Sequence, residues 1–188
     1  MARLILASSS PRRRELLEQL GLVFDIYSPD IDESVQAGES VADYVERLAC
    51  AKAEAVQLQY PDAIVIAADT SLGVDQEILG KPESKQHAFE MWGKISGRKH
   101  DVYTAVCVRT NTQISSIVVR TEVEFQHLSP NDMEAYWATS EPLGKAGAYA
   151  IQGIAARYSP RIEGSYSNVV GLPLHETVQL LQAVKALN

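Results

Sequence analysis

An apolar run at residues 63–68 is the feature that most restricts the fold of this chain. The run lacks the alternation of polar and apolar residues found in a strand with one wet face, so it is typical of a strand covered on both faces. Such strands lie in sheets that carry helices on each side. Asp69 follows directly. A carboxylate at the carboxyl end of a buried strand lies where open α/β sheets bind ligands, although an aspartate that caps a turn at Thr70 and Ser71 fits equally well.

Capping signals along the rest of the chain alternate with extended apolar segments. A serine opens four predicted helices, because its hydroxyl accepts a hydrogen bond from the first helical turn. No repeat, low-complexity segment or flexible linker divides the sequence, so we expect one α/β domain, residues 1–188, with a mixed sheet. The predicted helices begin at Ser10, Ser40, Ser84, Ser129 and Pro173, and the predicted strands are residues 4–7, 63–68, 102–108 and 114–126, with a hairpin around Gly73 and Gly80 and a strand pair around Gly164.

The charge of the chain excludes several classes of partner. Its 188 residues carry a net charge of −7, which on average repels nucleic acid polymers and anionic membrane surfaces. The apolar run near the N-terminus has only four residues, too short for a signal peptide or a membrane span. Cys50 and Cys107 lie far apart, which argues against a disulfide framework and a zinc site. We expect a cytoplasmic protein that binds neither nucleic acid polymers nor membranes.

The N-terminal segment departs from this acidic average. Its first fourteen residues hold four arginines and no acidic residue. Residues 8–14, Ser-Ser-Ser-Pro-Arg-Arg-Arg, combine hydroxyls, guanidinium groups and the free N–H groups of a helix start, all of which favour an anion. Arginines in a first turn oppose the helix dipole, so a negative group should lie close to them. That group is either a bound anion or acidic side chains on neighbouring elements. No Gly-Lys-Ser/Thr pattern is present, which excludes an ordinary P-loop.

Acidic and basic residues further along the chain suggest a second charged cluster. Asp30, Asp32 and Glu33 form an acidic run that is either a solvated loop or a site for a hard cation such as Mg²⁺ or Mn²⁺. Lys52 falls on the apolar stripe of its predicted helix, so it either extends to solvent along that surface or points into a cleft. Lys81 lies between a glycine and a proline in a stiff loop, where a surface position is the simpler interpretation.

Several short motifs, taken in order, resemble those of the Maf family. Each motif alone is weak, but their colinear order over nearly the whole chain is specific. The segments that carry the resemblance are residues 6–17 (LASSSPRRRELL), 32–34 (DES), 47–53 (RLACAKA), 68–70 (ADT), 80–82 (GKP), 147–153 (GAYAIQG) and 162–173 (IEGSYSNVVGLP).

The resemblance implies a fold and a reaction. Members share the fold of the inosine triphosphate pyrophosphatases, an elongated mixed sheet flanked by helices with a central cleft between two lobes, and they are frequently homodimers. They hydrolyse nucleoside triphosphates between the α- and β-phosphates with a divalent cation, here expected to be Mg²⁺ or Mn²⁺. Thr70 and Gln152 match the branch that acts on dTTP and UTP.

The resemblance also implies roles for single residues. Asp69 is expected to be the proton acceptor that activates water, and Glu33 to hold the metal together with Asp69. Lys52 and Lys81 are expected to act in catalysis beside them. The amide of Gln152 can donate and accept, which suits the imide edge of thymine or uracil. The residues expected to bind the substrate are Ser8, Arg12, Arg13, Thr70 and Gln152.

Other functions fit parts of the sequence. A pyrophosphatase for other or modified nucleotides, such as 7-methyl-GTP, would differ only in the base pocket. A nucleotide-binding regulator of cell division and septum formation needs the arginines but has no evident use for Asp69 and Glu33 in the same cleft. A structural α/β domain leaves the arginine-rich helix start unexplained.

Overall fold

The computed structural model describes residues 3–187. The strands are Leu4–Leu6 (β1), Asp25–Ile26 (β2), Ile64–Val74 (β3), Glu77–Leu79 (β4), Lys99–Arg109 (β5), Ile114–Glu124 (β6) and Arg161–Glu163 (β7). The α-helices are Pro11–Glu18 (α1), Val41–Gln59 (α2), Lys85–Ile95 (α3), Pro130–Trp137 (α4), Tyr166–Val170 (α5) and Leu174–Ala183 (α6). Short 3₁₀ helices lie at Ala146–Ala148 and Ile154–Tyr158.

The strands form one mixed sheet in the order β2-β1-β3-β5-β6-β7, with β4 paired to the C-terminal end of β3. β1 runs parallel to β2 and β3, whereas β5 is antiparallel to β3 and to β6. This architecture confirms the expected fold class, a mixed α/β sheet flanked by helices. None of the helices within residues 3–187 is both long and apolar enough to cross a bilayer.

Hydrophobic side chains cover both faces of the sheet, as the run without alternation predicts. Successive residues of a strand point to opposite faces, so Val65 and Ile66 belong to different clusters. The cluster on one face contains Val65 and the buried side of α2, including Leu48. The cluster on the other face contains Ile66 together with Trp92 of α3 and Leu181 of α6. The core is therefore built in two layers, with β3 between them.

Serine caps begin four of the helices where the sequence predicts them. Ser10, Ser40 and Ser84 each accept a hydrogen bond from a backbone N–H of the first turn. Ser129 and Asp132 form a complete capping box at the start of α4. Local sequence therefore determines these starts, because each cap is made within a single turn.

Two predictions need correction, the end of β3 and the strand pair around Gly164. β3 does not end before Asp69 but continues through residue 74, because antiparallel pairing with β5 holds its second half. The hairpin predicted around Gly73 and Gly80 is confirmed, and it turns at Asp75 and Gln76, whose φ angles are 49° and 66°. The strand pair around Gly164 is a single short strand, β7, followed by α5. Asn168 of α5 donates to the backbone oxygen of β5 and to a threonine of β6, and these long-range bonds hold a helix that its five residues do not predict.

Candidate active site

The cleft opens where β1 ends and β3 continues. The last backbone bond between these segments joins Ala7 N to Ile66 O. Beyond it, the chain turns away through the serine segment into α1, which exposes one edge of β3 around Asp69. The cleft has a volume of about 500 Å³, within the range of small-molecule sites. Its lining holds five basic side chains, Arg12, Arg13, Lys52, Lys81 and Lys145, and two carboxylates, Glu33 and Asp69.

This lining reverses the charge of the protein. Five basic groups against two acidic ones leave an excess of three positive charges in the cleft, while the whole chain carries −7. A concave site of one sign focuses the electrostatic field on a ligand of the opposite sign. The cleft is therefore suited to a polyanion small enough to enter it.

Lys52 joins the two carboxylates of the cleft. Its Nζ lies 2.7 Å from Asp69 Oδ1 and 2.6 Å from Glu33 Oε1. The side chains of Lys52 and Asp69 are each 11% exposed, whereas that of Glu33 is 41% exposed. Buried charges require partners, which explains why a lysine occupies the buried side of α2 opposite the aspartate of β3. Of the two predicted positions for Lys52, the structure has the one that points into the cleft.

Glu33 is the more accessible carboxylate of this group. Burial acts to raise the pKa of Glu33, but the hydrogen bond and charge of Lys52, with a smaller contribution from Lys81, outweigh it and lower that pKa. Lys81 Nζ lies 3.6 Å from Glu33 Oε2 and its side chain is largely exposed. The Tyr44 hydroxyl donates to the backbone oxygen of Glu33 at 2.9 Å and so fixes the loop. Burial and the nearby charges of Asp69 and Glu33 raise the pKa of Tyr44 to about 12.

Arg13 is held by neutral groups and not by an acidic side chain. Its Nε donates to Gly171 O at 2.8 Å, and its two terminal nitrogens donate to Ser8 Oγ at 3.3 Å and Thr70 Oγ1 at 3.0 Å. Burial lowers the pKa of Arg13, and the charge of Asp69 opposes that effect. Within residues 3–187, Arg12 and Arg13 form no ion pair, whereas Arg14 pairs with Glu18 of its own helix. A bound anion is thus the better explanation for the first two arginines.

Two residues behind Thr70 were not found from the sequence. Thr70 Oγ1 lies 2.9 Å from Thr104 Oγ1, and the Thr104 hydroxyl donates to Asn168 O. These bonds link β3, β5 and α5 and fix the partner of Arg13. A threonine in a buried strand gives no signal of such a role in a single sequence.

Arg12 and Lys145 also line the cleft. Burial lowers the pKa of Arg12, while the charge of Glu141 acts to raise it. Burial and the neighbouring Arg12 lower the pKa of Lys145. Lys145 is a further cleft residue to which the sequence patterns assign no role, although the glycines around it indicate that it lies in a loop.

Gln152 is the one predicted substrate-binding residue, among those the structure describes, that is not brought into the cleft lining. Its side chain is exposed, three residues after Tyr149, which does line the cleft. Ser8, Arg12, Arg13 and Thr70 all lie in the lining, together with the four residues predicted for catalysis.

The carboxylates can accept a divalent cation that also binds substrate. One oxygen from each of Asp69 and Glu33 contacts the same ammonium group, so the two carboxylates lie close enough to bind one cation between them. Within residues 3–187 no cluster of three or more acidic, histidine or cysteine ligands is present. Mg²⁺ typically binds one or two carboxylates and takes its other ligands from phosphates and water. The donor set fits that mode and not a cage made by protein alone.

Comparison with known proteins gives concordant matches. The profile of the Maf-like protein family matches residues 3–184. A relative from Acinetobacter baylyi, named dTTP/UTP pyrophosphatase, is 66% identical over 183 residues, which cover 97% of this chain and 100% of that protein. A relative of the same name from Vibrio parahaemolyticus is 51% identical and covers 95% of each chain.

A solved structure resembles the fold at low sequence identity. The Ham1 protein of Staphylococcus aureus aligns with a TM-score of 0.50 and 15% identity over 97% of both chains. At this identity the likeness concerns the fold alone.

Proposed function

The chain belongs to the Maf family, and we propose that it is a nucleoside triphosphate pyrophosphatase that converts dTTP and UTP to the monophosphate and pyrophosphate. The relatives named above support this substrate range. One structural observation carries the proposal: the Asp69–Lys52–Glu33 cluster lies in the same cleft as Arg12 and Arg13, which form no ion pair within residues 3–187. A binding protein for anions would need the arginines but not the carboxylates.

Asp69 is the group proposed to activate water. Lys52 holds Asp69 Oδ1, so Oδ2 is the oxygen that is available to take a proton from water. The water then attacks the α-phosphorus and pyrophosphate leaves. General base catalysis of this kind contributes about 10²–10⁴-fold to the rate.

The basic residues are proposed to hold the triphosphate and the charge that develops on the leaving pyrophosphate. Arg13 is already oriented by Ser8 and Thr70, so little of its side-chain freedom is lost on binding. Arg12 of α1 and Lys81, which follows β4, line the same cleft. Positioning and charge stabilisation supply most of the catalysis in phosphoryl-type transfer.

Glu33 and Asp69 are proposed to hold Mg²⁺ or Mn²⁺. A bound divalent cation would neutralise phosphate charge and make a neighbouring water more acidic. Lys52 lies between the carboxylates and keeps them close together in the protein itself.

Gln152 is proposed to read the imide edge of thymine or uracil. The side chain of Gln152 is exposed in the protein by itself, so the contact discriminates between bases where the bound base excludes water and the wrong base leaves the amide without a partner. Gln152→Ala should therefore reduce the preference for dTTP over GTP more than it reduces affinity for pyrophosphate. An unchanged preference for dTTP over GTP in this variant would show that other residues recognise the base.

We further propose that residues 1–188 act as one domain of two lobes, as a homodimer in the cytoplasm. These points rest on the family resemblance. Light scattering after size-exclusion chromatography tests the dimer, and limited proteolysis tests the single domain. Fractionation of cells that express the protein tests its location.

The central experiment is product analysis with a panel of nucleoside triphosphates and Mg²⁺ or Mn²⁺. Monophosphate plus pyrophosphate, formed fastest from dTTP and UTP, supports the proposal. Diphosphate plus phosphate would move the attack to the γ-phosphorus and contradict it. The variant Asp69→Asn should lose about a hundredfold or more of turnover. Asp62→Asn, an exposed aspartate outside the cleft, is the matched control and should keep wild-type turnover.

A further inference from the structure

Glu141 lies behind the cleft wall, where it is not part of the lining. Its side chain is bound by two backbone N–H groups at the start of the 3₁₀ helix Ile154–Tyr158, just after Gln152: Ile154 N donates to Oε2 at 2.9 Å and Ala155 N donates to Oε1 at 3.3 Å. The Tyr136 hydroxyl also donates to Oε1, at 2.7 Å. One carboxylate therefore accepts three hydrogen bonds and connects α4 to that 3₁₀ helix.

Tyr136 binds the backbone on the other side of Gln152, at Ala150. Its hydroxyl accepts a hydrogen bond from Ala150 N at 3.1 Å. Its ring is buried, with 3% exposed, against Trp92 and Tyr158. The pair of Tyr136 and Glu141 thus holds residues 150, 154 and 155, and the residue midway between these anchors is Gln152.

The backbone of this segment lies directly against the carboxylate. A Cβ built on Gly153 would overlap the carboxylate of Glu141. A side chain at residue 153 would therefore displace Glu141 from its hydrogen bonds.

Glu141 also acts on Arg12 by its charge. Burial lowers the pKa of both Arg12 and Lys145, and the charge of the Glu141 carboxylate opposes that effect at each of them. The same carboxylate that binds the backbone on both sides of Gln152 therefore also acts by its charge on two cations of the cleft.

We propose that Glu141 is a positioning residue for base recognition, which with Tyr136 holds the backbone on both sides of Gln152 in place. This rests on the proposed function, in which Gln152 reads the base. Glu141 touches neither substrate nor reacting atoms. A merely structural role for the same bonds would lower stability and turnover on every nucleotide alike, whereas a positioning role changes the ratio between nucleotides.

The test compares steady-state kinetics on dTTP, UTP and GTP for wild type and Glu141→Gln, with inhibition by pyrophosphate measured beside them. The substitution keeps the shape of the side chain but removes its charge and one acceptor. We expect the ratio of kcat/KM for dTTP over GTP to fall about tenfold. The change should lie in the KM for dTTP, while kcat and the inhibition constant of pyrophosphate stay within about twofold.

Matched controls separate this effect from a general loss of charge. Glu134→Gln removes an exposed glutamate of α4 that pairs with Lys85, and it should leave the ratio unchanged. Tyr136→Phe keeps the buried ring but removes the link to residue 150, so it should lower the ratio in the same direction. Tyr158→Phe removes a hydroxyl that contacts Asp132 O and not the backbone around Gln152, and it should have no such effect.

A double-mutant cycle tests whether Glu141 acts through Gln152. If it does, adding Glu141→Gln to Gln152→Ala lowers the ratio no further. Additive losses, or an unchanged ratio in Glu141→Gln, overturn the proposal. If Glu141→Gln does not fold, Tyr136→Phe decides by the same criteria.

The outcomes distinguish this inference from the proposed function. If Gln152→Ala removes the preference and both Glu141→Gln and Tyr136→Phe leave it intact, only the positioning role falls. If wild type shows no preference for pyrimidines, the base specificity and this inference fall together.

Discussion

Lowering the pH from about 7.5 to about 5 should weaken the fold through one buried histidine. His100 lies on β5 with 3% of its surface exposed, and its Nε2 is 2.8 Å from the Tyr149 hydroxyl. Within residues 3–187 its Nδ1 has no hydrogen-bond partner, so a second ring proton would lack an acceptor. Burial lowers the pKa of His100 from its ordinary value of 6.5 to about 4.

The sign and size of the effect follow from proton linkage. The pKa is lower in the folded protein than in the unfolded chain, so the unfolded chain binds more protons between these values and acid favours unfolding. With pKa values of 6.5 and about 4, His100 alone lowers the free energy of unfolding by about 2 kcal/mol between pH 7.5 and pH 5. Paired carboxylates such as Glu33, with an ordinary pKa of 4.5, lose their contribution mainly at lower pH.

Urea unfolding at the two pH values measures this loss. His100→Phe keeps an aromatic ring packed against Phe125 and Tyr149 but cannot titrate. Wild type should lose about 2 kcal/mol more than His100→Phe over the same pH change. His175→Gln replaces an exposed histidine as a control and should behave as wild type. Equal pH dependence in wild type and His100→Phe would refute the assignment, whatever their absolute stabilities.

Three further substitutions test the packing around the cleft. Lys52→Met leaves two neighbouring carboxylates without their cation. Urea unfolding should show that the free energy of unfolding falls by about 3 kcal/mol at pH 8 and by less at pH 4.5. An equal fall at both pH values would contradict the charge argument. Gly147 has φ +64° and a Cβ there would overlap a core leucine, whereas Gly144 has φ +68° and open space around it. Thermal unfolding should therefore show Gly147→Ala to be less stable than Gly144→Ala by about 2 kcal/mol. Similar melting temperatures for the two variants would rule out the steric cause. Trp92→Phe should lose about 2 kcal/mol in urea unfolding, because it leaves Ala148 O without the indole N–H that now lies 3.0 Å away; a loss below about 0.5 kcal/mol would show that this bond contributes little.

Much of the fold could be predicted because its signals are local. A serine cap needs only the next three residues, and the starts of α1 to α4 agree with the structure. The apolar run without alternation predicts a strand with helices on both faces, and β3 has them. The end of β3 and the helix α5 could not be predicted, because pairing with β5 and the bonds of Asn168 join residues far apart in sequence.

The candidate site was predicted in its residues but not in its contacts. Motif order pointed to Asp69, Lys52 and Glu33, yet nothing in the spacing of these residues says that one ammonium binds both carboxylates. The sequence left two explanations for the arginines of α1 open. Only the absence of an acidic partner for Arg12 and Arg13 within residues 3–187 favours a bound anion.

Sequence alone therefore determines the starts of α1 to α4, the position of the buried strand β3 and the membership of the family, since each follows from local patterns or from colinear motifs. Tertiary structure alone decides which charges meet. The approach of β3 to α2 and of α1 to α5 creates one cleft with an excess of positive charge on an acidic protein. The physical reason is that Coulomb and hydrogen-bond energies depend on distance in space, and folding brings Lys52 to Asp69, and Arg13 to Gly171, over separations that the sequence does not reveal.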